Sequence, residues 1–251
     1  METDKENLGW IEYDLFENFP QFNCKTYLRH GGFSKEPFAT LNVSEEVGDH
    51  PDSVKANREL IKKDLQAGYL VFAKQRHGDN LIEVTKDNLK DIEEADGLYT
   101  KEKNIALAIA HADCQAAVFY APKKNILAVA HAGWKGQVLN IYQKMVQTLK
   151  DKYQVEPGEL LVSISPSLCP KHAEFKNYQE ELPEEFWDFQ DKEKPKHFNL
   201  WKIAIMQLTT AGVREDQIEV AQSCTFCEDQ DFYSHRRSKP TGRHATAAVL
   251  L

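Results

Sequence analysis

The chain has 251 residues, enough to bury a substantial core as one large domain or two small ones. With 41% hydrophobic and 28% charged residues and a formal net charge of −8, it reads as an ordinary globular protein. The acidic balance argues against nucleic acid or an anionic membrane as the main partner, although a local basic patch can still hold a small anion.

The opening METDKENLGWIEYDLFENFP has neither the basic nor the apolar region of a signal peptide, and no window nears the length of a membrane span. Cys24, Cys114, Cys169, Cys224 and Cys227 are odd in number and scattered. They make a poor disulfide framework and suit a reducing cytoplasm.

No internal repeat or long linker stands out, and the elements follow one another closely. CKTYLRHGGFS predicts a strand running into a turn at Gly31 and Gly32. HPDSVKANRELIKKDLQAGY predicts a helix, with Pro51 in its first turn, Val54, Ile61 and Leu65 near one face, and Gly68 capping its end. YLVFAKQ is a short strand stopped by the polar turn RHGDN. IALAIA, AAVFYA and ILAVAHA are apolar runs bounded by turns and predict buried strands.

Further on, GQVLNIYQKMVQTLKDKY carries Val138, Ile141, Tyr142, Met145 and Leu149 at helical spacing. ELLVSIS is another strand. FNLWKIAIMQLTTAGV is a helix that Asn199 caps and Gly212 ends. IEVAQSC and HATAAVLL close the chain as strands. Several gaps between strands are too short for helical crossovers, so the fold class is α+β with a mixed, mostly antiparallel sheet system.

Three residues with ligand chemistry fall at strand ends, where loops gather and sites are built. His77 lies just past YLVFAKQ, Cys114 sits in the turn HADC, and His131 shares the face of Leu127 and Val129 at the end of ILAVAHA. Two imidazoles and a thiolate are a known catalytic zinc set with water in the fourth position. The pattern alone also admits a plainer reading, with Cys114 a small buried hydrophobe and the histidines satisfied loop residues.

In HAGWKG, Gly133 and Gly136 flank a passage from strand to helix with Lys135 between them, a setting that suits an anion or simply a turn with a solvated lysine. CTFC, from Cys224 to Cys227, has redox or half-zinc-site spacing, but no second Cys-x-x-Cys answers it, so it reads as two ordinary thiols. Cys169 in SPSLCPKH lies near His172 with nothing in the sequence to orient the pair. SHRRSKPTGRH gathers Arg236, Arg237 and Arg243 on a solvated face or an anion contact.

Taken together and in order, LRHGGFSKEPFATLNVSEEVGDHPDSVKANREL, KQRHGDN, ADGLYT, HADCQAAVFYAPKKNILAVAHAGWKG, ISPSLCPKHAEF, FNLWKIAIMQLTTAGV and FYSHRRSKPTGRHATAAVLL resemble the laccase-domain family. It is also called the YfiH-type or polyphenol oxidase family, and its members are now described as purine nucleoside phosphorylases. The resemblance spans nearly the whole chain. It implies a single laccase-type domain over residues 1–251, folded as a four-layer α/β/β/α sandwich with its site in a surface cleft.

It further implies a metal held by His77, Cys114 and His131, zinc first and copper as the alternative, with a purine nucleoside and phosphate as substrates. Phosphorolysis of adenosine, inosine, guanosine or methylthioadenosine is the implied reaction, and deamination of adenosine a second. Within that frame Arg29 and Lys135 are candidates for holding phosphate. Asn42 is a candidate for a sugar or base contact, and Asp113 for orienting a ligand or serving as acid or base.

Two departures stand out. His111 occupies a place where the family commonly has threonine, and its imidazole either adds a ligand or packs. The segment that usually ends in Gly-Pro-Cys reads SPSLCPKH, so no role passes to Cys169. Three other readings remain open at the level of sequence. A copper polyphenol oxidase of the multicopper kind needs His-x-His pairs, which the nine histidines do not provide, while Met1, Met145 and Met206 lie outside the motif segments. A metal-free Cys114–His131 nucleophile pair is a second, and a non-catalytic module with a structural metal a third. Nothing in the sequence fixes an oligomeric state.

Overall fold

The structure is a computed structural model, and it describes residues 7–89 and 91–251. The part of the signal-peptide reading that rests on residues 1–6, and Met1 with it, lies outside the described residues. Among the described residues no helix is long and apolar enough to cross a membrane.

Among the described residues, eleven strands form two sheets. The first runs in the order β1 (Trp10–Ile11), β2 (Phe22–Tyr27), β11 (His244–Leu250), β6 (Ile105–His111) and β3 (Tyr69–Phe72). The second runs β10 (Ile218–Val220), β9 (Leu161–Ile164), β7 (Gln115–Ala121), β8 (Ile126–Ala132), β5 (Gly97–Thr100) and β4 (Leu81–Glu83). The pairs β3–β6, β4–β5 and β9–β10 are parallel and the others antiparallel, which is the mixed, largely antiparallel character expected from the short gaps.

The period-two alternation of the apolar runs sets the layers. In β6, Ile105, Leu107 and Ile109 join Leu127 and Val129 of β8 and Val118 and Tyr120 of β7 in a core between the sheets. The alternate positions carry small residues and face helices. Ala106 and Ala108 lie under α1 (Pro51–Asp64), which contributes Ile61. Ala128 and Ala130 lie under α3 (Ile141–Tyr153), which contributes Tyr142, Met145 and Leu149, and α5 (Leu200–Thr210) adds Ala204 and Leu208 to the same layer. Alanine on the helix-facing side lets helix and sheet approach closely, while branched residues fill the space between sheets. The result is the α/β/β/α order of layers. Of two short helices, α2 (Trp134–Val138) follows β8 and packs against α3 and α5, and α4 (Tyr178–Glu181) packs Tyr178 against the cluster around Phe198.

The structure corrects two local expectations. The long helix expected from Gly136 to Tyr153 is broken, because Asn140 turns left-handed at φ 53° and its side-chain oxygen accepts from the Gln143 N–H at 3.2 Å, starting α3 afresh. At the end of α1 the left-handed residue is Gln66, at φ 57°, and Gly68 is needed instead for a close approach to Asn104. A Cβ there would stand 2.5 Å from the Asn104 Nδ2. Asn199 caps α5 as expected, accepting from the Lys202 N–H at 3.0 Å, and Gly212 follows at φ 96°.

Candidate metal centre

The strand β6 belongs to one sheet and β7 to the other, so Ala112, Asp113 and Cys114 cross between them. Asp113 makes that crossing in a left-handed conformation, φ 85°. Its two carboxylate oxygens are engaged, one accepting from the Thr225 hydroxyl at 2.8 Å and the other from the Arg236 N–H at 2.6 Å. Asp113 therefore fixes the loop that presents Cys114. His131 is the last inward-facing residue of β8. His77 comes from the turn after β3, at φ 60°.

Asp96, which no sequence motif singles out, ties the two histidines together. It is buried at the start of β5. Its Oδ1 lies 2.8 Å from His131 Nδ1 and accepts the His77 N–H at 3.0 Å. Its Oδ2 accepts the N–H groups of Arg76 at 3.0 Å and Gly78 at 2.8 Å. One carboxylate thus holds three successive backbone amides and one imidazole. With the His131 Nδ1–H directed at Asp96, Nε2 is the nitrogen left to face a ligand. The only sequence signal for this role is the position of Asp96 in ADGLYT, immediately before a strand.

One ligand atom from each of His77, Cys114 and His131 falls within 4.8 Å of the others. The two imidazole rings meet edge to face with centroids 4.8 Å apart, and the Cys114 sulfur is 4.0 Å from His77 Nε2. Gly133 is what allows the approach. A Cβ there would stand 3.0 Å from the Cys114 sulfur and 3.1 Å from His77 Cδ2.

Burial works against a charged Cys114, but the hydrogen bonds and charges of His131 and His77 outweigh it and bring the thiol down to about 6. Burial also works against a charged His131, yet Asp96 and Cys114 raise it to about 9. Asp96 is held below the usual carboxylate range, because His131 and the backbone donors outweigh the cost of its burial. This donor set, two imidazole nitrogens and a readily ionised thiol with an aspartate behind one ring, fits a zinc or copper ion.

All three residues line a cavity of about 1120 Å³, so a fourth coordination position would face open space. Trp134 and Phe175 also line it, their rings meeting edge to face at 6.2 Å. Its cationic lining includes Arg58, Lys74, Lys176, Arg236 and Arg243. Arg243 uses Nη1 on the carbonyl oxygens of Thr241 and Gly242, and it feels the charges of Cys114 and Asp113.

The other expected substrate residues are elsewhere. Arg29 donates Nε and Nη2 to the Ala39 carbonyl and Nη1 to that of Asp229, over the ring of Tyr233. Its guanidinium is a loop clamp and does not line the cavity. Asn42 is fully buried and holds Ser44, Asp49 and the Arg243 N–H. Lys135 points out beside Trp134 and is exposed. His111 lines the same cavity but is not one of the three clustered donors, its Nε2 lying 2.8 Å from the Thr246 hydroxyl and its ring against His244.

Comparison with known proteins finds a matching family and several relatives. Residues 23–251 match the family model described as multi-copper polyphenol oxidoreductase laccase. The chain is 35% identical over 234 residues to purine nucleoside phosphorylase YlmD of Bacillus subtilis, covering 86% of this chain and 84% of that protein. It is 29% identical over 235 residues to purine nucleoside phosphorylase YfiH of Escherichia coli, covering 89% and 91%. The crystal structure of YlmD from Geobacillus stearothermophilus superposes with a TM-score of 0.88 at 30% identity, over 96% of each chain.

Proposed function

The chain belongs to the family described as multi-copper polyphenol oxidoreductase laccase, and on that premise we propose that it is a zinc-dependent purine nucleoside phosphorylase formed by one laccase-type domain. The observation that carries the reading is the cluster of His77, Cys114 and His131, buttressed by Asp96, in the wall of a cavity that also offers aromatic and cationic groups. When bound, zinc supplies Lewis acidity, polarising a substrate oxygen or acidifying a water.

The rest falls to the chain's own side chains. Trp134 and Phe175 give the apolar surface a purine base needs, and Arg243 is the cation best placed to hold phosphate beside the ligands. In phosphorolysis a phosphate oxygen forms a bond to the anomeric carbon as the carbon–nitrogen bond to the base breaks. The bonding pair leaves on the base, which takes up a proton. Holding the phosphate and the base in one cavity converts an encounter of two reactants into a positioned reaction.

Two finer readings share the site. With adenosine bound so that its amino-bearing carbon faces the ligands, the reaction would be hydrolytic deamination, in which a water oxygen bonds to that carbon, the bond to the amino nitrogen breaks and ammonia leaves. Copper is the metal that the family's description names, and a blue-copper centre commonly adds a weak axial methionine. Met145 packs in the layer of α3, and Met206 packs against the cluster around Phe198, so neither supports that centre.

The test is turnover of adenosine, inosine, guanosine and methylthioadenosine, with and without phosphate, on protein of known metal content and on Cys114→Ala. Phosphate-dependent release of free base, lost in Cys114→Ala, is the expected result. Ammonia without phosphate moves the assignment to deamination. Nucleosides left intact by zinc-loaded protein refute both.

A further inference from the structure

A second cluster lies outside the cavity and takes no part in the function above. In sequence Cys224 and Cys227 look like ordinary thiols because no second Cys-x-x-Cys exists. The structure supplies the missing half from a different pattern, Cys169-Pro170-Lys171-His172. One ligand atom each from Cys169, His172, Cys224 and Cys227 lies within 4.8 Å of the others. We propose that these four residues bind a structural zinc ion.

The distances carry the argument. His172 Nδ1 stands 3.3 Å from the Cys169 sulfur, 3.4 Å from that of Cys227 and 3.8 Å from that of Cys224. In a tetrahedral zinc site, bond lengths of about 2.3 Å to sulfur and about 2.05 Å to nitrogen place nitrogen and sulfur about 3.6 Å apart. The three observed edges bracket that value. One imidazole nitrogen facing three sulfurs at this spacing is the donor arrangement of a closed Cys₃His centre, which is a structural and not a catalytic zinc set.

The surroundings are built to keep the four atoms there. The imidazole of His172 stacks on Phe226, with centroids 4.0 Å apart and planes 21° apart, so its ring cannot swing freely. The two half-sites are joined through backbone: Ser167 and Cys224 form a parallel bridge, and the Thr225 N–H donates to the Ser167 carbonyl at 3.2 Å. The Cys169 N–H points at the Cys224 sulfur from 3.3 Å, a donor that favours a thiolate. A disulfide between two of these thiols would leave the third sulfur and the imidazole without a role, and the four cluster residues do not line the cavity, so a nucleophile has no substrate there.

The ion would pin two segments of the cavity's surroundings. Leu168, Glu174 and Phe175 line the cavity on either side of Cys169 and His172. Arg236 donates to the carbonyls of His172 and Glu174. On the other segment, Thr225 holds Asp113, the neighbour of Cys114.

The experiment is elemental analysis of zinc-loaded, desalted protein, together with alkylation mapping of the wild type. The expected zinc content is two ions per chain in the wild type, one in Cys114→Ala and one in Cys224→Ser, with none in the double variant. Folded Cys114→Ala carrying no zinc overturns the proposal, as does a Cys169–Cys224 disulfide in unreduced wild type.

Should a variant fail to fold, the wild type alone decides, because Cys227 is exposed. Bound zinc should slow its alkylation by iodoacetamide by at least about tenfold, with the block lifted on chelation. Equal rates with and without zinc overturn the site.

Discussion

Replacing Asp96 by asparagine tests the reasoning about the metal centre most directly. The carboxylate accepts four N–H groups: those of Arg76, His77 and Gly78, and the imidazole Nδ1–H of His131. Asparagine keeps the shape but only one acceptor oxygen. Whichever way the amide turns, its NH₂ confronts two donors. If it replaces Oδ2, the amides of Arg76 and Gly78 lose their acceptor. If it replaces Oδ1, the His77 amide and the His131 imidazole do.

Two hydrogen bonds to a charged acceptor at about 1.5–3 kcal/mol each give about 3–6 kcal/mol. Water can reach the exposed turn at Arg76, so a loss of about 3–5 kcal/mol is expected. The same change lets the His131 ring rotate, which should weaken zinc binding by about 10–100-fold, equivalent to about 1.4–2.8 kcal/mol. Urea unfolding of the zinc-free protein reads the first quantity, and competition with a chromophoric chelator reads the second. An Asp96→Asn protein within about 1 kcal/mol of the wild type in stability, and unchanged in zinc affinity, would refute the argument that this carboxylate organises both histidines.

Three further outcomes follow from the same geometry. Gly133→Ala should leave the fold intact but weaken zinc binding by at least about tenfold, since its methyl meets the Cys114 sulfur at 3.0 Å; unchanged affinity in the chelator assay would show that the three ligands can give way. In zinc-stripped protein the Cys114 thiol is depressed from 9.0 to about 6, so the thiolate is present above about pH 6 and lost below it. Iodoacetamide labelling at Cys114, read by peptide mapping, should therefore climb through about pH 6, and a midpoint near that of the urea-unfolded chain would contradict the shift. Arg243→Lys should raise the apparent KM for phosphate by about 10–100-fold while Arg29→Ala leaves it unchanged, and the reverse pattern in a phosphate titration would exchange their roles.

The layers were legible in the sequence because alternation is a property of the strand itself. Ile105, Leu107 and Ile109 against Ala106 and Ala108 already separate the inter-sheet face from the helix face. His131 was placed on the correct face by the same rule. What alternation cannot convey is that β6 and β7, only three residues apart, lie in different sheets, which makes HADC a crossing and not a hairpin turn. The helix break at Asn140 escaped for a related reason, because the apolar spacing carries on across it while the backbone changes hand at one residue. Asp96 is invisible in the sequence as a positioning group because three of its four partners are backbone amides, which no side-chain pattern marks, and the fourth, the His131 imidazole, is 35 residues away. Arg29 shows the converse. An arginine in a conspicuous motif looks like an anion contact, while in the fold each of its three nitrogens donates to a carbonyl of Ala39 or Asp229 and the side chain does not line the cavity.

The two ligand clusters meet through Asp113. Its backbone sets the left-handed crossing that leads into Cys114, and its carboxylate bonds Thr225 within the Cys224–Cys227 turn and the backbone of Arg236. Arg236 in turn bonds the carbonyl of His172. A chain of direct contacts therefore runs from the cysteine of one cluster to the histidine and cysteines of the other. An ion in the Cys₃His cluster would remove freedom from Thr225 and His172, the two ends of that chain, and so narrow the positions open to Cys114. Ordering of this kind is stabilising when the entropy is lost before the reactive ion binds, because the three-ligand site then meets its metal already assembled. The sequence hides this arrangement for a simple physical reason. Cysteine and histidine at x₂ spacing in two distant segments look like halves of nothing until the fold sets them side by side.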